Sequence, residues 1–252
     1  MTNPRQRQLL EHLRLHGDTS VEALARQFSV TTQTIRRDIR ALEEDGQLSR
    51  FHGGVSPAST VQNIDYAQRQ VMHAEAKRRI GMLAASHVEA GRSLILNIGT
   101  TTEQASHALV RHKDIRVVTN NLNVAAILSD NEDAEIIIAG GLVRNRDRGV
   151  VGEATIDFMR QFKVDIGIIG VSSIEADGTL LDYDYREVRV VQAIMEQSRE
   201  VWLVADRTKF ERRALVRLGH LSQIDKFFTD APVPDAIREG LGEWEVEVLV
   251  AN

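Results

Sequence analysis

Ser20-Val-Glu-Ala-Leu-Ala-Arg-Gln-Phe28, a short break, and Thr31-Thr-Gln-Thr-Ile-Arg-Arg-Asp-Ile-Arg40 form the stretch that decides how this chain reads. Val21, Leu24, Ala25 and Phe28 stand at i, i+3, i+4 and i+7, the spacing of one apolar helical stripe. Ser20 is a good N-cap for that helix, and Glu22 suits the positive end of its dipole. After the Ser29-Val30 turn, Thr31 caps a second helix whose inner face is Ile35, Ile39 and Leu42. Gln33, Arg37 and Arg40 point away from that face, with Thr34 and Arg36 on its flanks. Two short helices joined by a turn, the second carrying Gln, Thr and Arg outward, make a helix-turn-helix. Arg pairs bidentately with guanine and Gln with adenine, while hydroxyls such as those of Ser20, Thr31 and Thr32 reach phosphates. The stretch reads DNA.

Outward from this pair, Asn3-Pro4 supplies an N-cap and a first-turn proline for an earlier helix bearing Leu9, Leu10 and Leu13. On the other side, Asp45-Gly46 makes a turn and Gln47-Leu-Ser-Arg-Phe-His52 reads as a strand ending at Gly53-Gly54. This hairpin is expected to be the wing of a winged helix, with Arg50 and His52 against the backbone or minor groove. An arginine-bearing helical face is most often only a solvated surface. Its place among three helices and a wing makes operator DNA the expected partner of residues 1–56.

Composition bounds the rest. The chain has 252 residues and a net charge of −5, a poor total for a nucleic-acid binder. Residues 1–60, however, hold eight arginines against seven acids, so the acidic excess belongs to the remainder. With no cysteine, a disulfide framework and a thiolate zinc site are excluded. The start lacks a signal peptide's apolar stretch, and no apolar run approaches the about 20 residues of a membrane span. These features point to a soluble cytoplasmic protein without membrane contact.

Ser56-Pro57-Ala-Ser-Thr60 is small and polar and reads as the start of a linker over 57–75, with residues 76–252 as a second domain. Residues 64 to 89 look helical. From residue 93, apolar runs alternate with helical stretches: Ser93–Ile98, Ile115–Thr119, Glu135–Ala139, Asp165–Val171, Val201–Ala205 and Asp225–Thr229. Near-continuous apolar strands with helical connections predict a doubly wound, mostly parallel α/β sheet.

Such sheets bind ligands beyond the carboxyl ends of their strands. Gly99-Thr100-Thr101-Thr102 follows the first strand, with a helix expected from about Glu103, and Thr119-Asn120-Asn121 follows the second. Gly140-Gly141 follows the third, and Asp206-Arg-Thr-Lys209-Phe210 a later one. A Gly-Thr-Thr-Thr turn at a helix start offers bare amides and hydroxyls to a phosphate, and Lys209 offers a point charge. Singly, each has a simpler use as a capped turn or a surface lysine. Their shared position at strand ends predicts an effector pocket with a phosphate subsite.

Thr34-Ile-Arg-Arg-Asp38, Arg50-Phe-His-Gly-Gly54, Asn97-Ile-Gly-Thr-Thr101, Val118-Thr-Asn-Asn121, Ala139-Gly-Gly141 and Asp206-Arg-Thr-Lys-Phe210 resemble the DeoR family of bacterial transcriptional regulators, in the family's order and over almost the whole chain. Gly152–Phe158, Gln161-Phe162 and Leu180–Arg189 look like the branch of that family concerned with glycerol 3-phosphate. The resemblance implies a sugar-phosphate-isomerase-like effector domain that also assembles a homo-oligomer, a tetramer. It implies a repressor whose inducer is a phosphorylated metabolite, sn-glycerol 3-phosphate or a relative. The phosphate would lie on Gly99–Thr102, Thr119–Asn121 and Lys209. Two positions depart from the pattern. Val190-Val191-Gln192 stands where relatives carry basic residues, so the pocket's charge is expected from Arg186, Arg189 or Lys209. Ser172-Ser173 replaces a Ser-Gly step.

An enzyme is the rival class, with Asp182, Asp184 and Glu187 as carboxylates near the crevice. Asp182 and Glu187 have a simpler use as partners of ligand hydroxyls, and an upstream DNA module already supplies a role for the pocket. No catalytic residue, cofactor or metal is assigned. His12 and His16 stand at i, i+4 but have no matching carboxylates.

Overall fold

A computed structural model describes residues 3–16, 18–51, 54–57 and 64–252. Helix α1 (Pro4–His16) begins with a reciprocal cap, in which Asn3 and Gln6 each accept the other's backbone N–H through their side chains. A two-residue strand β1 (Thr19–Ser20) leads into α2 (Val21–Gln27), and α3 (Thr32–Glu44) follows the turn. Ser20 and Thr31 cap α2 and α3 by accepting from the amides of Ala23 and Thr34. Leu9, Leu13, Leu24, Ile35, Ile39 and Leu42 are buried together.

Strands β2 (Leu48–Phe51) and β3 (Gly54–Pro57) pair antiparallel, and β1 adds to the far side of β3. The winged helix is therefore present, but the expected linker begins too early: Ser56 and Pro57 are ladder residues opposite Ser49 and Leu48. Proline is tolerated there because β1 pairs only with Gly54 and Val55, so no second ladder needs its missing N–H. The helical stretch expected at 64–89 is two helices, α4 (Tyr66–Val71) and α5 (Ala74–Ser86). His73 breaks them by taking a left-handed φ of 51°.

The remainder alternates strand and helix. It runs β4 (Ser93–Leu96), α6 (Thr100–Leu109), β5 (Ile115–Thr119), α7 (Leu122–Leu128), β6 (Ala134–Ile138), the hairpin β7 (Leu142–Arg144) and β8 (Gly149–Val151), then α8 (Glu153–Met159). It continues through β9 (Val164–Ile169), β10 (Ser173–Ile174), β11 (Thr179–Asp182), α9 (Tyr185–Glu196), β12 (Ser198–Val204) and a 3-10 turn (Arg207–Phe210). β13 (Val216–His220), β14 (Lys226–Thr229), α10 (Asp235–Trp244) and β15 (Glu247–Val250) complete it. Seven parallel strands form the sheet in the order β15-β14-β12-β9-β4-β5-β6. Leu94, Leu96, Ile168 and Trp202 face a core with α5, α6 and α7, while Ile95, Ile169 and Leu203 face one with α8, α9 and α10. The doubly wound architecture is as expected, with β15 as a strand the pattern had not marked.

Strand β4 comes first in the sheet, β5 and β6 extend it on one side, and the chain then returns to lay β9 on the other. Connections leave β4 and β9 in opposite directions, which opens a crevice above their carboxyl ends. Among the described residues, no helix is long and apolar enough to cross a membrane.

Candidate functional site

Two sites are built by this fold. On the first, Thr31, Gln33, Thr34, Arg36, Arg37, Arg40 and Arg50 line one open concavity on the outside of α3 and the wing. Gln33, Arg36, Arg37 and Arg40 are exposed, opposite buried Ile35, Ile39 and Leu42. Ser20 and Thr31 are also exposed but already serve as caps, and Thr32 is half-buried at the helix start. Arg50 leans back to Glu43 at 3.5 Å, a surface pair of little energetic weight. His52 lies outside the described residues. Asp38, also on α3, is buried and accepts from Arg5 Nε at 2.6 Å and Gln6 Nε2 at 3.3 Å, so it holds α1 against the reading helix.

The second site is the crevice. All three threonines of the Gly99–Thr102 run lie inside the first turn of α6, earlier than the helix start expected at Glu103, and Gly99 provides no side-chain cap. The first amides of α6 thus keep their anion-binding capacity. The hydroxyl of Thr102 is committed, donating to the carbonyls of Asn97 at 2.9 Å and Gly99 at 2.7 Å. Thr119 donates to Leu96 O and accepts from Asn121 N, while Asn121 caps α7 and donates to Glu103. These residues shape the crevice walls. Thr100 and Thr101 make no side-chain hydrogen bond among the described residues. Among the described residues, Asn97 is 1% exposed with both amide atoms unpartnered, and Oδ1 of Asn120 and the Thr229 hydroxyl are likewise buried without partners. Orphaned polar groups of this kind are costly and call for a partner from outside the protein, a ligand or an ordered water. Gly140 and Gly141 are exposed at the end of β6, two strands from the β4–β9 crevice, where Gly140 O accepts from Thr155.

The expected cations divide. Arg186 pairs with Asp184 and Arg189 with Glu153, both on the outer surface of α9. Of the three expected cations, Lys209 remains, and beside it stand three that pattern reading missed, Arg69, Lys77 and Arg212. Lys77 is 4% exposed on α5, and Arg212 is 7% exposed just after the 3-10 turn. Burial, with repulsion from neighbouring cations, lowers Lys77 to about 8 and Lys209 to about 7. Asp206 is held well below the carboxylate range: burial opposes this, but Lys209, Lys77 and Arg212 outweigh it.

The carboxylates are largely spoken for. Glu187 pairs with Arg144 at 2.5 Å, and Arg144 also grips Asp147 and Asp184. Burial beside Asp182 raises Glu187, and burial raises Asp182 itself. Asp184 caps α9, accepting from the backbone N–H of Arg186. Glu103 in α6 is buried and accepts from Tyr66, Asn121 and Asn123, pinning α4 over the crevice mouth. Arg69 on α4 reaches Asp147 at 3.7 Å.

Residues 5–61 match the DeoR-like helix-turn-helix domain, and residues 72–231 match the DeoR C terminal sensor domain. The chain belongs to the DeoR family. DeoR-family relatives are similar along nearly their whole length. The glycerol-3-phosphate regulon repressor of Escherichia coli (strain K12) is 44% identical over 240 residues, covering 95% of each chain. That of Haemophilus influenzae is 43% identical over 248 residues, covering 98% of this chain and 96% of the relative. Among solved structures, ribose 5-phosphate isomerase from Plasmodium falciparum overlays 53% of this DeoR-family chain and 52% of its own, with 12% identity and a TM-score of 0.39.

Proposed function

We propose that this protein is a transcriptional repressor that holds operator DNA through its winged helix and lets go when sn-glycerol 3-phosphate enters the crevice. One observation carries the reading: a single chain joins an exposed Gln/Arg helix face to a crevice where Lys77, Lys209 and Arg212 have no ion pair among the described residues. The names of its relatives supply the regulon and the effector. The winged helix, through Pro57, reads DNA, residues 76–252 sense and assemble, and the chain between them connects the two. Amides and hydroxyls at Gly99, Thr100 and Thr101 take the phosphate with Lys209, and Asn97, Asn120, Asp182 and Glu187 face the remaining hydroxyls. One winged helix reads few base pairs, so useful specificity needs paired half-sites and a homo-oligomer, a tetramer.

The crevice is a sensor rather than a catalyst. Glu187 is paired with Arg144 and Asp184 caps α9, so neither stands as a free base for an isomerase, while Glu187 can still accept from a ligand hydroxyl. Fluorescence anisotropy on operator DNA tests the proposal, with glycerol 3-phosphate expected to release the protein. Release by a different phosphorylated three- to six-carbon metabolite reassigns the effector. No release by any of them removes the sensor reading.

A further inference from the structure

Arg212 is a buried guanidinium with no carboxylate partner among the described residues, and its Nε has no hydrogen bond. An unpaired buried cation is among the costliest groups a fold can hold. Two others share its surroundings. Among the described residues, Lys77 donates only to the carbonyl of Arg69, and Lys209 has no ion pair. Asp206 stands opposite all three, and its Oδ1 is occupied by the amide and hydroxyl of Thr208. Arg69 is matched by Asp147, and buried Asp182 lies nearby. Three cations against Asp206 leave a positive surplus suited to a phosphate monoester, whose charge is about −1.5 to −2 near neutral pH.

The same guanidinium touches the DNA-binding domain. Gly46, in the turn after α3, has a φ of +70°, and a Cβ there would lie 2.9 Å from Arg212 Nε and 2.6 Å from Ile64 Cδ1. Beside it, Gln47 donates to Glu211. The turn that ends the reading helix therefore rests on the chain segment that carries the crevice's cations.

We propose that Arg212 and Lys77 bind the anionic end of the effector, and that Arg212, by packing on Gly46, makes that binding felt at the recognition helix. This rests on the sensor reading above. An anion that draws the guanidinium into the crevice removes the support under the turn. DNA that fixes α3 restrains Arg212 and weakens anion binding by the same factor.

The test is calorimetric titration of the full-length protein with glycerol 3-phosphate and, in parallel, inorganic phosphate, with and without operator DNA. Arg212→Gln and Lys77→Met are expected to weaken anion binding by at least about tenfold, the loss of one charged hydrogen bond. Arg212→Lys keeps the charge but not the fork, so it should retain most of the affinity. Its ratio of affinities without and with DNA should fall toward one from a wild-type value of about 5- to 150-fold. Thermal melts confirm folding, and Arg212→Lys with Lys77→Met carry the test if Arg212→Gln does not fold. Wild-type affinity in Arg212→Gln and Lys77→Met overturns the binding role, and undiminished coupling in Arg212→Lys overturns the relay. Phosphate binding that needs Arg212, without glycerol 3-phosphate binding, removes only that metabolite as effector. Binding of neither probe by the wild type overturns both readings.

Discussion

Nε2 of His73 lies 3.3 Å from Oδ1 of Asp45, so the residue that caps the end of the recognition helix is tied to the break between α4 and α5. The pair joins the DNA-reading domain to the segment above the crevice. Asp45 raises the His73 pKa; burial and the nearby charge of Lys77 oppose this, and Asp206 adds to it. A histidine raised in the folded state contributes its full stability below its ordinary value of about 6.5 and loses it as pH rises through the folded value. Interdomain docking should therefore loosen as pH climbs from about 6.5. Calorimetric melting of wild type and His73→Asn across this range checks it, and equal pH slopes in the two would sink it.

On the DNA face, Arg36 and Arg37 project from α3 with no ion pair among the described residues. Arg36→Ala and Arg37→Ala are each expected to cost about 1–3 kcal/mol of operator affinity if they read bases, with relaxed specificity. An arginine that only meets phosphate should weaken operator and scrambled duplex alike. Gel-shift titration on both duplexes separates these roles, and unchanged operator affinity in both variants would displace α3 as the reading helix.

Asp38 makes a different kind of contribution, because it lies on the reading helix but points inward. Asp38→Ala strips the buried partner from Arg5 and Gln6 and should cost about 1–3 kcal/mol of folding stability in the DNA-binding domain. Effector binding to the sensor should persist. Denaturant unfolding followed beside a titration with glycerol 3-phosphate distinguishes this from a direct DNA contact, for which stability would not change.

Much of this arrangement is legible in the sequence because it is local. The stripe Ile35, Ile39, Leu42 makes the outward face of α3 readable, and apolar runs such as Leu94-Ile-Leu96 announce strands buried on both faces. The crevice cations were harder, since a lysine or arginine ordinarily signals solvent. Lys77 did carry a clue, standing three residues before Ile80 and seven before Ala84 on the buried side of α5. Asn97 carried another, as a polar residue inside an apolar strand run. Arg212 had none: Gly46, which its guanidinium approaches, is distant in sequence and brought in by domain docking. Arg186 and Arg189 looked suitable only because helix phase does not reveal that Asp184 and Glu153 hold them outside.

Effector binding should also take up protons. Burial lowers Lys209 to about 7 and Lys77 to about 8, so at about pH 8 both are partly neutral before an anion arrives. A bound phosphate favours their charged forms and raises both values, so binding is stronger at lower pH and weakens as pH rises through about 7 to 9. The ligand does not confuse the measurement there, because a phosphate monoester with a second pKa of about 6 is already a dianion at pH 8. Calorimetry at pH 8 in two buffers of different ionisation enthalpy reads the uptake directly. A positive value is expected for the wild type, with a smaller one for Lys209→Met. Each proton taken up makes affinity fall up to about tenfold per pH unit, since one pKa unit is worth about 1.36 kcal/mol. If binding at pH 8 proceeds with no proton uptake, the anion does not sit against these lysines, and the phosphate belongs at another part of the crevice.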